Sequence, residues 1–199
     1  MQKVLVVVDM QNDFIDGALG TPQAVSIVPL VKKKIENFSG LVLFTRDTHE
    51  NNYLNTQEGR NLPVLHCIRN TYGWQIHSEL RGFVGKDSRN PVYKDSRNPV
   101  YKDSHNPVYK DFHDPIDKNT FGSAELGEIL RGINETEGVE SITFAGLCTD
   151  ICVISNAMIA KAFLPEVPVY VDASCCAGTS PQSHENALNA MKVCQINII

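Results

Sequence analysis

Residues Ser141–Val171 read SITFAGLCTDICVISNAMIAKAFLPEVPVYV, and this segment carries the architecture in miniature. Ser141 to Ala145 contains Ile142, Thr143 and Phe144, the β-branched and aromatic types that suit a buried strand. Gly146 turns the chain, Thr149 or Asp150 can cap a helix, and Asp150 to Phe163 is predicted helical. Val167 to Val171 then supplies another strand. A strand, a helix and a strand in this order form a parallel βαβ unit.

The same alternation recurs on both sides of this unit. Strands are predicted at Lys3 to Val8, Leu41 to Thr45 and Gln195 to Ile198, with a further one ending at Lys118. Helices are predicted at Gln23 to Asn37, Ser123 to Arg131 and Pro181 to Val193. The class is α/β, with helices on both faces of a mainly parallel sheet. A chain of 199 residues with 42% hydrophobic content suits a single domain around one sizeable core. Ligands of such sheets sit beyond the carboxyl ends of the strands, which draws attention to Asp9, Arg46, Asp47, Lys118 and Gly146 to Cys152.

A formal net charge of -5 gives no general attraction to nucleic acid or anionic membranes, so neither is an expected partner. The apolar run Val4 to Val8 stops at Asp9 and is too short for a signal or membrane segment. A cytoplasmic location is therefore expected, with the six cysteines kept as thiols. The spacing Cys148-x-x-x-Cys152 matches neither the usual zinc-site nor the thioredoxin-like pattern.

One segment departs from the alternation. KDSRNPVY at Lys86 to Tyr93 repeats identically at Lys94 to Tyr101, then becomes KDSHNPVY at Lys102 to Tyr109 and KDFHDPID at Lys110 to Asp117. An Asn-Pro or Asp-Pro step in every copy favours turns and excludes a long helix. The region of about 86–109 reads as a tandem-repeat insertion: a solvated excursion, a lid, or an arm reaching another subunit of a homo-oligomer.

Several side chains at the predicted strand tips can carry chemistry. Asp9 ends an apolar strand, where a carboxylate's pKa can move toward that of a general base. Either cap places Cys152 in the first helical turn, where the dipole and free N-H groups favour a thiolate. Cys148 is the competing thiol, and Cys152 is the better placed of the two relative to the helix start. Lys118 can pair with Asp9 and lower a nearby thiol's pKa by its charge. Asp47, His49 and His66 offer one carboxylate and two imidazoles, a set that suits zinc, iron or manganese with coordination positions left open. His77, His105, His113 and His184 are less constrained by context.

Taken together, VVVDMQNDF at Val6 to Phe14, TRDTH at Thr45 to His49, PVLHC at Pro63 to Cys67, DKNTFGS at Asp117 to Ser123 and GLCTDICVISNA at Gly146 to Ala157 resemble the isochorismatase-like cysteine hydrolases. The metal-type motif resembles the nicotinamidase/pyrazinamidase branch. The resemblance implies a three-layer α/β/α fold with a six-stranded, mainly parallel, Rossmann-like sheet. It implies a triad of Asp9, Lys118 and nucleophilic Cys152, and a cis peptide between Leu147 and Cys148 that turns the N-H groups of Cys148 and Cys152 toward an oxyanion. It also implies a divalent metal, zinc by preference, on Asp47, His49 and His66, with Phe14 packing the ring of a small pyridine carboxamide such as nicotinamide. Many members carry an aromatic residue three positions before the second metal histidine; here Pro63 stands there, and Trp74 follows further on. Competing readings are a metal-independent isochorismatase or carbamoyl/ureido amidohydrolase, and an inactive hydrolase-fold protein that uses the repeats as an assembly arm.

Overall fold

A computed structural model describes residues 1–85 and 114–199. The repeat insertion expected at about 86–109 therefore lies outside the described residues. In chain order the elements are β1 (Gln2–Val8), α1 (Asn12–Ile15), α2 (Pro22–Asn37), β2 (Leu41–Asp47), α3 (Gln57–Asn61), α4 (Ser78–Arg81), β3 (Ile116–Lys118), α5 (Ala124–Thr136), β4 (Val139–Leu147), α6 (Ile154–Phe163), β5 (Val169–Ala177), α7 (Pro181–Val193) and β6 (Asn197–Ile198). A single π-helical turn, Thr149–Val153, joins β4 to α6.

All six strands are parallel, in the spatial order β3-β2-β1-β4-β5-β6. Residues Val4 to Val8 of the central strand are 0% exposed, and burying five such side chains contributes on the order of 10 kcal/mol. Their alternation builds two cores. Val4, Val6 and Val8 pack with Leu126 and Leu130 of α5, Ala157 and Ala160 of α6, and Leu188 and Met191 of α7. Leu5 and Val7 face Ile27, Val28, Val31 and Ile35 of α2. The three layers follow from this two-residue period, because each face of β1 needs its own apolar cover.

Helix starts follow their sequence signals. Thr21, Ser123 and Ser180 each accept a backbone N-H with the side-chain oxygen, at 3.0 Å from Ala24, 3.1 Å from Leu126 and 3.1 Å from Ser183. Pro22 and Pro181 occupy first-turn positions where no N-H partner is needed.

Several element limits differ from the sequence reading: α5 runs on to Thr136, β4 spans Val139–Leu147, and neither Thr149 nor Asp150 caps a helix, because the π-helical turn starts after Cys148 with no side-chain cap and α6 begins only at Ile154. Two further differences lie at strand ends. β2 runs on to Asp47 and β5 to Ala177, whereas apolarity alone stops at Thr45 and Val171. In β5 the register jumps from Phe144↔Val171 to Gly146↔Cys176, so Asp172 to Cys175 form a bulge whose polar residues hide the strand. Among the described residues, no helix is long and apolar enough to cross a membrane.

The chain leaves β1 toward β2 and β3, then returns to the other side of β1 as β4, which makes the β1/β4 tips the switch point. Contact there is close. Gly146, opposite Val8, has φ +124°, and a Cβ would lie 2.1 Å from the Val8 carbonyl oxygen. Gly82 has nothing within 4 Å of the same position. Gly146→Ala is expected to destabilise the protein by more than about 2 kcal/mol, and Gly82→Ala by under about 0.5 kcal/mol, in thermal denaturation. Equal melting temperatures for the two variants would refute this account of the switch point.

Candidate active site

Asp9 follows β1 in the left-handed region, with φ 47°, a conformation costing about 1–3 kcal/mol in a non-glycine residue. The neighbouring strand holds it there. Its N-H donates to the Thr45 carbonyl at 3.3 Å, and the Thr45 hydroxyl donates to Oδ1 at 2.7 Å. Lys118 ends β3 in register with Asp47, two strand spacings or roughly 10 Å from β1, and its long stem crosses that gap. Nζ lies 2.7 Å from Asp9 Oδ2, 3.4 Å from Asp47 Oδ1 and 3.4 Å from Cys152 Sγ, and donates to the Thr120 carbonyl at 3.2 Å. Cys152 enters from the π-helical turn, where its sulfur accepts from Lys118. Asp9, Lys118 and Cys152 are all buried, at 0%, 5% and 5% exposure.

Burial governs the protonation of this cluster. It raises the Asp9 carboxyl, even though Lys118 pulls it down. It also raises the Cys152 thiol well above its usual value, aided by Asp9 and opposed by Lys118. Burial would lower Lys118, but Asp9, Cys152 and Asp47 carry its ammonium well above the usual range. The sequence expectation of a thiolate favoured by the helix start and by Lys118 is thus corrected for the free protein. The lysine charge is shared with two carboxylates, and desolvation plus the Asp9 charge outweigh it.

Asp47, His49 and His66 gather beside this cluster, all buried, with one potential ligand atom from each within 4.8 Å of the others. Asp47 Oδ2 lies 3.0 Å from His49 Nε2 and 3.6 Å from His66 Nε2. Glu58, in the first turn of α3, brings Oε1 to 3.6 Å and 3.9 Å from the same two nitrogens. The donor set fits a divalent cation on two further grounds. His49 Nε2 is buried and, although 3.0 Å from Asp47 Oδ2, makes no aligned hydrogen bond, and the His66 Nδ1 contact to the Val64 carbonyl at 2.8 Å directs the Nε2 lone pair into the group. Tyr53 braces both rings, with centroids 4.5 Å from His49 and 5.0 Å from His66. Gln11 fixes Asp47 from behind: Oε1 accepts the Asp47 N-H at 2.7 Å and Nε2 donates to the Asp47 carbonyl at 2.8 Å.

The turn before Cys152 is anchored from the far side. Thr149 Oγ1 lies 2.8 Å from His184 Nδ1, and Asp150 accepts both the N-H (3.0 Å) and the hydroxyl of Thr179. The Leu147–Cys148 peptide is cis. The Cys148 carbonyl accepts from the N-H groups of Ile151 at 3.1 Å and Val153 at 3.0 Å, passing over that of Cys152.

Sequence comparison agrees with this geometry. The isochorismatase domain family matches residues 3–94 and 86–199. The chain belongs to the isochorismatase family. A nicotinamidase of Schizosaccharomyces pombe is 24% identical over 221 residues, spanning 98% of this chain and 91% of that protein. Among solved structures, pyrazinamidase of Pyrococcus horikoshii in complex with zinc is 27% identical with a TM-score of 0.70, covering 100% of this chain and 99% of that one. The N-carbamoylsarcosine amidase of Thermoplasma acidophilum shares the fold, at 22% identity and TM-score 0.65, over 100% and 95% of the two chains.

Asp9, Lys118, Cys152, Asp47, His49 and His66 thus converge, and Phe14 joins them with its ring 5.6 Å from that of His66. Trp74 does not. Its ring stacks on the Arg46 guanidinium at 3.5 Å and its Nε1 donates to Thr48 at 2.8 Å, so it packs the flank of β2. Sequence reading missed Glu58, whose signal is a Thr56 cap followed by an acid that the short α3 turns inward. Zinc titration of metal-free protein is expected to give one tight equivalent. His49→Ala should abolish it and Glu58→Gln weaken it by about tenfold, and an unaltered isotherm for Glu58→Gln would remove Glu58 from the donor set.

Proposed function

We propose that the chain is a nicotinamidase, hydrolysing nicotinamide to nicotinate and ammonia through a thioester on Cys152. The observation that carries this reading is the Lys118 contact with both Asp9 (2.7 Å) and Cys152 (3.4 Å), directly beside the Asp47, His49, His66 and Glu58 group. A divalent cation held by that group, with zinc favoured by the likeness to the zinc-complexed relative and iron or manganese chemically admissible, would offer the pyridine nitrogen a Lewis-acid contact. Phe14, beside the His66 ring, supplies an apolar face for the pyridine.

The chain's own groups then account for both halves of the reaction. Asp9, whose raised pKa makes it a stronger base than an ordinary carboxylate, takes the thiol proton as Sγ attacks the carboxamide carbon. The oxyanion meets the N-H groups of Cys148 and Cys152; for the latter, support comes from the Cys148 carbonyl having passed it over. Collapse breaks the C–N bond, Asp9 returns the proton to the leaving nitrogen, and ammonia departs. Water, deprotonated by Asp9, attacks the thioester carbon. The C–S bond breaks, the sulfur regains its proton from Asp9, and nicotinate leaves. Throughout, Lys118 balances charge passing between Asp9 and sulfur.

The alternative with a specific observation behind it is a carbamoyl amidohydrolase, since one structural relative acts as N-carbamoylsarcosine amidase. Ammonia release from nicotinamide and from N-carbamoylsarcosine separates the two. Expected are turnover of nicotinamide only, loss on chelation with recovery on adding zinc, a drop of at least about 1,000-fold in Cys152→Ala, and a partial drop in Cys148→Ala. Chelator-resistant activity on the carbamoyl substrate would overturn the proposal, and reversed effects of the two cysteine variants would overturn the nucleophile assignment.

A further inference from the structure

Asn156 lies four residues beyond Cys152 in α6, and at 0% exposure its primary amide is wholly withdrawn from water. Such a group is tolerated only when its donors and acceptor are met. Here they are. Oδ1 accepts the Ser123 N-H at 2.9 Å, while Nδ2 donates to the Cys152 carbonyl at 2.8 Å and to the Phe121 carbonyl at 3.2 Å. One acceptor and two donors in this arrangement identify an amide uniquely; a carboxylate there would set an oxygen against two carbonyls. The side chain therefore fastens residues 121–123 to the turn that carries the nucleophile.

Those residues adjoin the group that orients Lys118. Its ammonium has three protons and four acceptors: Asp9 Oδ2 at 2.7 Å, the Thr120 carbonyl at 3.2 Å, and Asp47 Oδ1 and Cys152 Sγ at 3.4 Å each. The placement of the Thr120 carbonyl thus bears on how much of the charge reaches the sulfur. The seat is tight: a Cβ on Gly122 would approach Ile159 Cδ1 to 2.5 Å.

We infer that Asn156 is a positioning residue for the reaction. By tying the Cys152 carbonyl to Phe121 and Ser123, it holds the Thr120 carbonyl where it keeps the Lys118 ammonium turned toward the Cys152 sulfur. The inference rests on the reading of Cys152 as nucleophile with Lys118 as its partner. Asn156 touches no reacting atom, so its loss acts through the geometry of Lys118.

The test compares wild type with Asn156→Ala, Asn156→Thr and Asn156→Asp. Threonine can still donate to the carbonyl four residues back but does not span to the loop, and aspartate keeps the shape while losing both donors. Two quantities are measured: ammonia release from nicotinamide per titrated Cys152 thiol, and the pH dependence of Cys152 alkylation by iodoacetamide, followed by mass spectrometry of its peptide. The charged groups facing this thiol are Asp9 and Lys118, with Asp47 beyond them. Expected is a fall in kcat of about 10–100-fold in every variant, with KM within about threefold. The alkylation midpoint should move up by about one pH unit in the alanine and threonine variants. A lower melting temperature with unchanged kcat per thiol and an unchanged midpoint would make Asn156 a packing residue and overturn the inference. Should Asn156→Ala not fold, the threonine and aspartate variants carry the comparison. Wild type that releases no ammonia from nicotinamide sinks the substrate assignment alone, because the alkylation profiles still judge Asn156.

Discussion

The ion pair between Lys118 and Asp9, 2.7 Å long and sealed from water, is what the strand tips are arranged around. Removing both charges from solvent is unfavourable, and their attraction repays it only where further hydrogen bonds complete the shell. That shell is present on each side: Thr45 on Asp9, and Thr120 and Asp47 on Lys118. Deleting one partner of such a pair typically costs about 3–5 kcal/mol, so fold and chemistry lean on the same contact. The strand order β3-β2-β1-β4 is what lets an edge lysine, a central carboxylate and a switch-point thiol meet.

Burial also gives the cluster its chemical character. Desolvation raises both the Cys152 thiol and the Asp9 carboxyl, so in the free protein each is held toward its neutral form. Lys118, 2.7 Å from Asp9 and 3.4 Å from the Cys152 sulfur, sets its charge beside both groups. The second group, of Asp47, His49, His66 and Glu58, shares Asp47 with this network through Lys118, so the two halves of the site are electrostatically joined.

Much of this was legible in the sequence because it rests on short-range signals. The apolar run Val4 to Val8 with its terminal Asp9 and the glycine turn before Cys152 are read from neighbours in the chain. What stayed hidden depends on contacts distant in sequence. Glu58 reaches the imidazoles only because α3 folds over them, Trp74 is claimed by Arg46, and the β5 bulge places polar Asp172 to Cys175 inside a strand. The thiol's raised pKa was misjudged for the same reason: the helix start is local, whereas desolvation and Asp9 come from the assembled sheet.

Lys118 arrives on a strand of only three residues, paired through Thr45↔Ile116, Arg46↔Asp117 and Asp47↔Lys118. Lengthening the connection before such a strand is thermodynamically mild, since each doubling of a flexible loop adds only about 0.6 kcal/mol of closure entropy. Sliding the strand by a single residue, in contrast, would present Asp117 or Asn119 to the sulfur instead of an amine. Chain length upstream of Ile116 can therefore change at small energetic cost, whereas the phase of three residues against β2 decides whether an amine reaches the sulfur at all.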